Sequence, residues 1–273
     1  MRAATWLSIS ASMLWLATAS NAAGPANAQR WLQPSEPRRL FGNSYAVGFG
    51  DLSVGMIRTS AGLILIDGGV PQAPRAIEAN LAKLGFSIRD VKLILSTEPH
   101  SDHAGGIAGL ARDSGATVMA SAPAARVLRT GRADPADPQA AWLDDFPAVA
   151  RLRMVRDRQA IRLGDVTVIA VATPGHTMGS MSWRWQSCEG RQCRSMVFAS
   201  SLNAVAADGY RFSSPAGKPF VAAFRRSFAR MRALPCDMLT TSHPELDSGG
   251  GCRGYADRAE ARLDARLREE AGK

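Results

Sequence analysis

Histidine is scarce in this chain, with four among 273 residues, and cysteine is equally sparse at four. Beyond residue 28 no apolar run approaches the roughly 20 residues that a bilayer-spanning helix needs, which excludes an integral helical membrane protein. Low-complexity tracts and close repeats are also missing, so neither a disordered linker protein nor a repeat array fits. Basic side chains outnumber acidic ones by 33 to 24, but they are spread along the chain. Without a basic block, nucleic acid is not an expected partner; the positive balance reads as simple solubility ahead of the alternative, steering of small anionic substrates.

What is present fits a single globular domain over residues 29–273, since a 46% hydrophobic chain of this length can bury one large core. Residues 1–28 differ in character. They carry one charge, Arg2, then an apolar run over 6–17, then small residues ending in Ala26, Asn27 and Ala28. That is the layout of a secretory signal peptide, with Ala22 or Ala28 as the last residue removed. The run is too short for a stable membrane anchor, so the mature protein is expected in the periplasm. The cysteines agree with an oxidising compartment. Cys188 and Cys193 flank a short loop, while Cys236 and Cys252 bracket His243. Three pairings are open, the two local bridges being the favoured set. A four-cysteine zinc cluster fits these spacings poorly.

Strand-like runs at 43–47, 52–58 and 63–67 predict an antiparallel meander. A helix over 73–84, a buried strand over 91–97, a helix over 104–112, a strand over 117–120 and a helix over 124–130 follow. A loop rich in Asp, Pro and Ala at 134–147 could border a site. Further strands are expected at 166–172, 180–186, 194–199 and 237–241. Phe220, Phe224, Phe228 and Met231 share a helical face, as do Leu263 and Leu267, and read as core stripes.

All four histidines fall in three segments that follow such strands: Glu98, His100, Asp102 and His103 after the 91–97 run, His176 after Pro174 and Gly175, and His243 before Pro244. Packing histidines would seldom collect at strand ends, where open α/β sheets place their sites. Mixed imidazole and carboxylate suits Zn²⁺. The alternating spacing predicts two ions, one held by Glu98, His100 and His176 and the other by Asp102, His103 and His243. Asp67, at the end of a strand, is either a turn residue or a support near the metal.

These motifs resemble those of the metallo-β-lactamase superfamily, in which a His-x-His-x-Asp-His run is followed by Gly-His-Thr and a late His. The chain is more similar still to the third subclass of zinc β-lactamases (B3). The likeness rests on Trp31, Gln33 and Pro34; on Gly42, Asn43 and Tyr45; on 65–69; on Pro174 to Thr177 with Gly179 and Ser180; and on 233–237 with Cys236. The resemblance implies an αββα sandwich, a four-layer α/β fold, and two Zn²⁺ per chain. It also implies a monomer that opens the β-lactam amide of penicillins, cephalosporins and carbapenems with zinc-held hydroxide, conferring antibiotic resistance. Asp102 then helps hold and orient the second ion. Glu98 stands where the first histidine is usual, as in a minority of the subclass. Ser201 stands where glyoxalase-type and nuclease-type relatives carry a bridging aspartate, which argues against those chemistries. In the subclass this region binds the substrate carboxylate, a role implied for Ser201 and Asn203. An exported lactonase on the same fold, or a zinc protein without catalysis, are the competing expectations.

Overall fold

The apolar run at 63–66 has no polar position because both faces of its strand are covered. In the computed structural model, which describes residues 31–272, Leu63 and Leu65 enter one core layer while Ile64 and Ile66 enter another. Ile94 and Leu95 divide in the same way, as do Val118 and Met119. In a second sheet Val197 and Ala199 face outward helices while Met196 and Phe198 face the first sheet. Period-two alternation between two apolar layers is what two stacked sheets, each backed by helices, require. The αββα expectation is met. The expected leader at 1–28 lies outside the described residues.

The first sheet runs, in order, through β1 (Arg38–Phe41), β2 (Ser44–Ala46), β3 (Gly55–Thr59), β4 (Gly62–Ile66), β5 (Val91–Leu95), β6 (Thr117–Ser121) and β7 (Leu152–Val155). Strands β1 to β4 form the antiparallel meander, and β4 to β7 are parallel. Helices α1 (Pro74–Lys83), α2 (Ser101–Ala104), α3 (Ile107–Ser114) and α4 (Ala122–Thr130) make the connections. The second sheet contains β8 (Ala160–Leu163), β9 (Val166–Ala172), β10 (Met181–Glu189), β11 (Gln192–Ala199) and β12 (Met238–Thr241), with β12 pairing parallel to β11. Helices α5 (Lys218–Arg232) and α6 (Gly251–Ala271) cover its outer face with Phe220, Phe224, Phe228, Met231 and Leu263.

Three short strands, β1, β7 and β8, were not expected, because each is brief and carries exposed polar side chains instead of an apolar run. The helix expected over 104–112 is broken in two at Gly105 and Gly106. A side chain at Gly106 would place its Cβ 2.1 Å from the Gly68 carbonyl oxygen, so the chain turns where the 68–71 segment presses against it. As a result Asp102 and His103 sit on the short helix α2, not on a loop, and His100 is its N-cap.

Both local disulfides are formed. Cys188–Cys193 closes the β10–β11 hairpin, and Cys236–Cys252 ties the approach to β12 to the first turn of α6. The described residues include no free cysteine, which rules out the four-cysteine zinc cluster. The second bridge closes a loop with a sequence separation of 16, stabilising by about 3 kcal/mol on the chain-entropy estimate.

Candidate metal centre

The C-terminal ends of four strands meet at one edge of the sandwich. Strand β5 delivers Glu98, His100, Asp102 and His103; β9 delivers His176; β11 delivers Ser201 and Asn203; β12 delivers His243. Backbone bonds join the sheets there, with Met181 N donating to Thr97 O at 2.7 Å and Ser53 N to Ser242 O at 3.0 Å. At His176 the approach depends on Gly175, whose φ of +143° and 2.5 Å from a built Cβ to Phe224 Cδ1 leave no room for a side chain.

Asp102, His103 and His243 converge. His103 Nε2 lies 3.1 Å from His243 Nε2 and 3.2 Å from Asp102 Oδ2, and His243 Nε2 lies 3.4 Å from Asp102 Oδ2. Tetrahedral zinc with bonds of about 2.0–2.1 Å separates its ligands by about 3.3 Å, so these atoms are spaced as three corners around one ion. The imidazole and carboxylate donors suit zinc in kind as well as in spacing.

The other expected set is gathered less tightly. Glu98 Oε1 stands 3.9 Å from His176 Nε2 but only 3.1 Å from His103 Nε2, and the His100 and His176 rings are 4.9 Å apart. Among the described residues only the Asp102 group brings its donors within 4.8 Å of one another. The ring nitrogens nonetheless have defined roles. His100 Nε2 meets Asp137 Oδ2 at 3.0 Å, leaving Nδ1 for a metal. His176 Nδ1 donates to the Asn203 carbonyl at 2.8 Å, leaving Nε2, which sits 3.2 Å from Gln139 Nε2. Glu98 is fully buried and accepts from Ser201 N at 2.9 Å and from Ser201 Oγ at 2.7 Å. The hydroxyl expected to face substrate is thus turned onto the glutamate.

Burial disfavours every charge here, and the shifts report how each is compensated. The His103 imidazolium is penalised by burial, yet Asp102 and Glu98 push its pKa up to about 10. Burial likewise opposes the Asp102 charge, but His103 and His243 hold its carboxyl well below the usual range. Burial pushes the Asp67 carboxyl up to about 7, against the opposing pull of His103 and its bonds from Thr97. A proton on His103 would neutralise the buried carboxylates beside it, and a divalent ion bound there would have to displace that proton.

Two supporting groups stand out. Asp67, at a φ of +66°, accepts from Thr97 N at 2.7 Å and Thr97 Oγ1 at 2.6 Å, with His103 Nδ1 3.9 Å away. It ties the ends of β4 and β5 together beneath the histidine. Asp137 was missed in the sequence: its carboxylate is buried against His100 and also accepts from Gln139 N at 2.8 Å. Only its place in the Asp-rich loop at 134–147 hinted at a role. Carboxylates behind ligating histidines typically tune metal affinity by 10–100-fold. Asp137→Ala is therefore expected to weaken zinc binding by about that factor, and Asp137→Asn by less, in competition with a chromophoric chelator.

Above these residues opens a cleft of about 570 Å³ whose walls include Trp31, Trp142, Asp102, His176, Asn203 and His243. The expectation that the 134–147 loop borders the site holds, since Gln139 and Trp142 to Asp144 line this cleft.

Residues 47–189 match the metallo-β-lactamase superfamily domain. Among solved structures, the chain is 53% identical to the first B3 metallo-β-lactamase characterised with an active-site glutamic acid. That match has a TM-score of 0.87 and covers 90% of this chain and 95% of the other. It is 42% identical to the Rm3 metallo-β-lactamase, with a TM-score of 0.88 over 91% and 99% of the two chains. BJP-1, a subclass B3 enzyme of Bradyrhizobium japonicum, matches at 32% identity and a TM-score of 0.80 over 90% and 98%. With its metal-motif residues at the strand ends and a glutamate at the first position, the chain belongs to the metallo-β-lactamase superfamily and, within it, to subclass B3.

Proposed function

We infer that this protein is a zinc-dependent hydrolase of the β-lactam amide bond, an activity that confers antibiotic resistance. The observation that carries the reading is the Asp102, His103 and His243 group, with His103 buried and the other two partly so, spaced at 3.1–3.4 Å and opening onto a substrate-sized cleft. Zinc, when bound, supplies an activated water at neutral pH and a Lewis acid for the carbonyl oxygen. The protein supplies the rest. Asp102 holds and orients one ion with His103 and His243. Glu98, His100 and His176 are assigned to a second ion, with Asp137 and the Asn203 carbonyl fixing which nitrogen each histidine offers. Asn203 contributes to binding the substrate carboxylate. Trp31 and Trp142 flank the cleft. The apolar leader and the two disulfides support export to the periplasm.

The test is to assay zinc-loaded protein with a penicillin, a cephalosporin and a carbapenem. All three should be hydrolysed, a chelator should abolish turnover and added zinc restore it, and serine-directed inhibitors should have no effect. Turnover by the metal-stripped protein would sink the reading.

A further inference from the structure

Ser201 and Asn203 were expected to share the substrate carboxylate, but the structure treats them differently. Ser201 is 1% exposed, and both its N–H and its hydroxyl are donated to Glu98. A hydroxyl has one proton to give, so Ser201 has none left for an anion in the cleft. Asn203 lines the cleft, and its Oδ1 accepts from Arg262 Nη1 at 3.1 Å. An asparagine amide presents an acceptor on one side and two donors on the other, and either face can be turned outward unless a neighbour decides. A guanidinium has only donors to offer. Arg262 therefore selects the oxygen of Asn203, leaving Nδ2 as the group free to donate away from α6.

The charge of Arg262 is not otherwise spent. Its neighbour one turn on, Arg266, pairs with Glu270 at 3.1 Å, whereas among the described residues Arg262 pairs with no carboxylate. Arg262 lines an adjoining hollow that shares Trp142 with the metal cleft. The neighbouring Asn203 carbonyl meanwhile holds His176. One residue thus links the unpaired cation to the metal edge.

We propose that Arg262 is the positioning residue for substrate anchoring in this enzyme: it sets the Asn203 amide to donate to the β-lactam's ring carboxylate, a role from which Ser201 is withdrawn by its bonds to Glu98. The inference rests on the β-lactamase reading. It concerns binding of a carboxylate by an oriented donor backed by a cation, so it bears on KM and leaves bond cleavage alone.

The experiment compares wild type, Arg262→Ala, Asn203→Ala, the double variant and Ser201→Ala as zinc-loaded proteins of measured zinc content. Substrates are a penicillin and its methyl ester. Arg262→Ala should raise KM for the free acid about 5-fold, a modest effect because the arginine is exposed, with kcat within about 2-fold. KM for the ester should not move. Adding Arg262→Ala to Asn203→Ala should have no further effect, since the arginine acts through the amide. Ser201→Ala should lower zinc retention under dialysis and leave KM for the acid unchanged at full zinc. An unchanged KM in Arg262→Ala, an equal rise with the ester, or a full effect persisting in the Asn203→Ala background would each overturn the inference. Absence of turnover by the wild type would remove the β-lactamase reading and this inference with it, whereas turnover with an unmoved KM removes the inference alone.

Discussion

Replacing Asp102 with alanine is expected to lower kcat/KM for a penicillin by about three orders of magnitude or more, because in the proposed mechanism the rate enhancement depends on an ion that Asp102 would help to hold. The carboxylate is the only acidic member of the tight donor group, and its two histidine partners lie 3.2 and 3.4 Å from it. Its loss also removes the largest of the attractions that push the His103 pKa up to about 10. The sign of the accompanying pH effect follows. With His103 as a ligand, a proton would leave it when zinc binds, so apparent affinity is expected to climb about tenfold per pH unit while the pH lies below about 10. In Asp102→Ala that climb should level off at a lower pH, on a much weaker baseline. Zinc titrations from pH 6 to 9, with steady-state kinetics on the same samples, check both. A variant that keeps full activity, or whose zinc affinity has the wild-type slope, would remove Asp102 from its assigned role.

Glu98→His is expected to move the acidic limb of the kcat/KM profile to lower pH by about one unit and to lower KM for the anionic substrate. The glutamate is fully buried, with a carboxyl that stays ionised: burial opposes the charge, but His176, His103 and His100 together with the Ser201 bond outweigh it. Exchanging it for neutral imidazole raises the formal charge of a two-zinc site with hydroxide from about +1 to about +2. Greater positive charge stabilises the ionised nucleophile, so less alkaline conditions suffice to form it. The same substitution releases the Ser201 hydroxyl, whose proton Glu98 accepts at 2.7 Å, to face the cleft. With zinc content matched between the two proteins, an acidic limb that stays in place or moves upward would show that charge at position 98 does not set the nucleophile's ionisation.

Much of this enzyme was legible in one dimension. Candidate metal donors come from short, chemically distinctive runs, and apolar strands covered on both faces leave an unbroken apolar trace, so the motif residues Glu98 to His103, His176 and His243 could be picked out, and the strands that carry them read directly. The local cysteine pairs were legible for a similar reason, each joining segments near in sequence. Three things were decided only in the folded molecule. The break between α2 and α3 depends on Gly68 pressing against Gly106, a contact between residues 38 apart that leaves no periodic mark. The edge strands β1, β7 and β8 exist because neighbouring strands offer unpaired backbone groups, not because their own side chains demand it. The partners of the site residues are the third: Asp137 behind His100, Ser201 on Glu98 and Arg262 on Asn203 span 37, 103 and 59 positions. Hydrogen bonds between such distant residues depend on the direction of individual side chains. A sequence names the donors and acceptors available, and the tertiary packing chooses which of them meet.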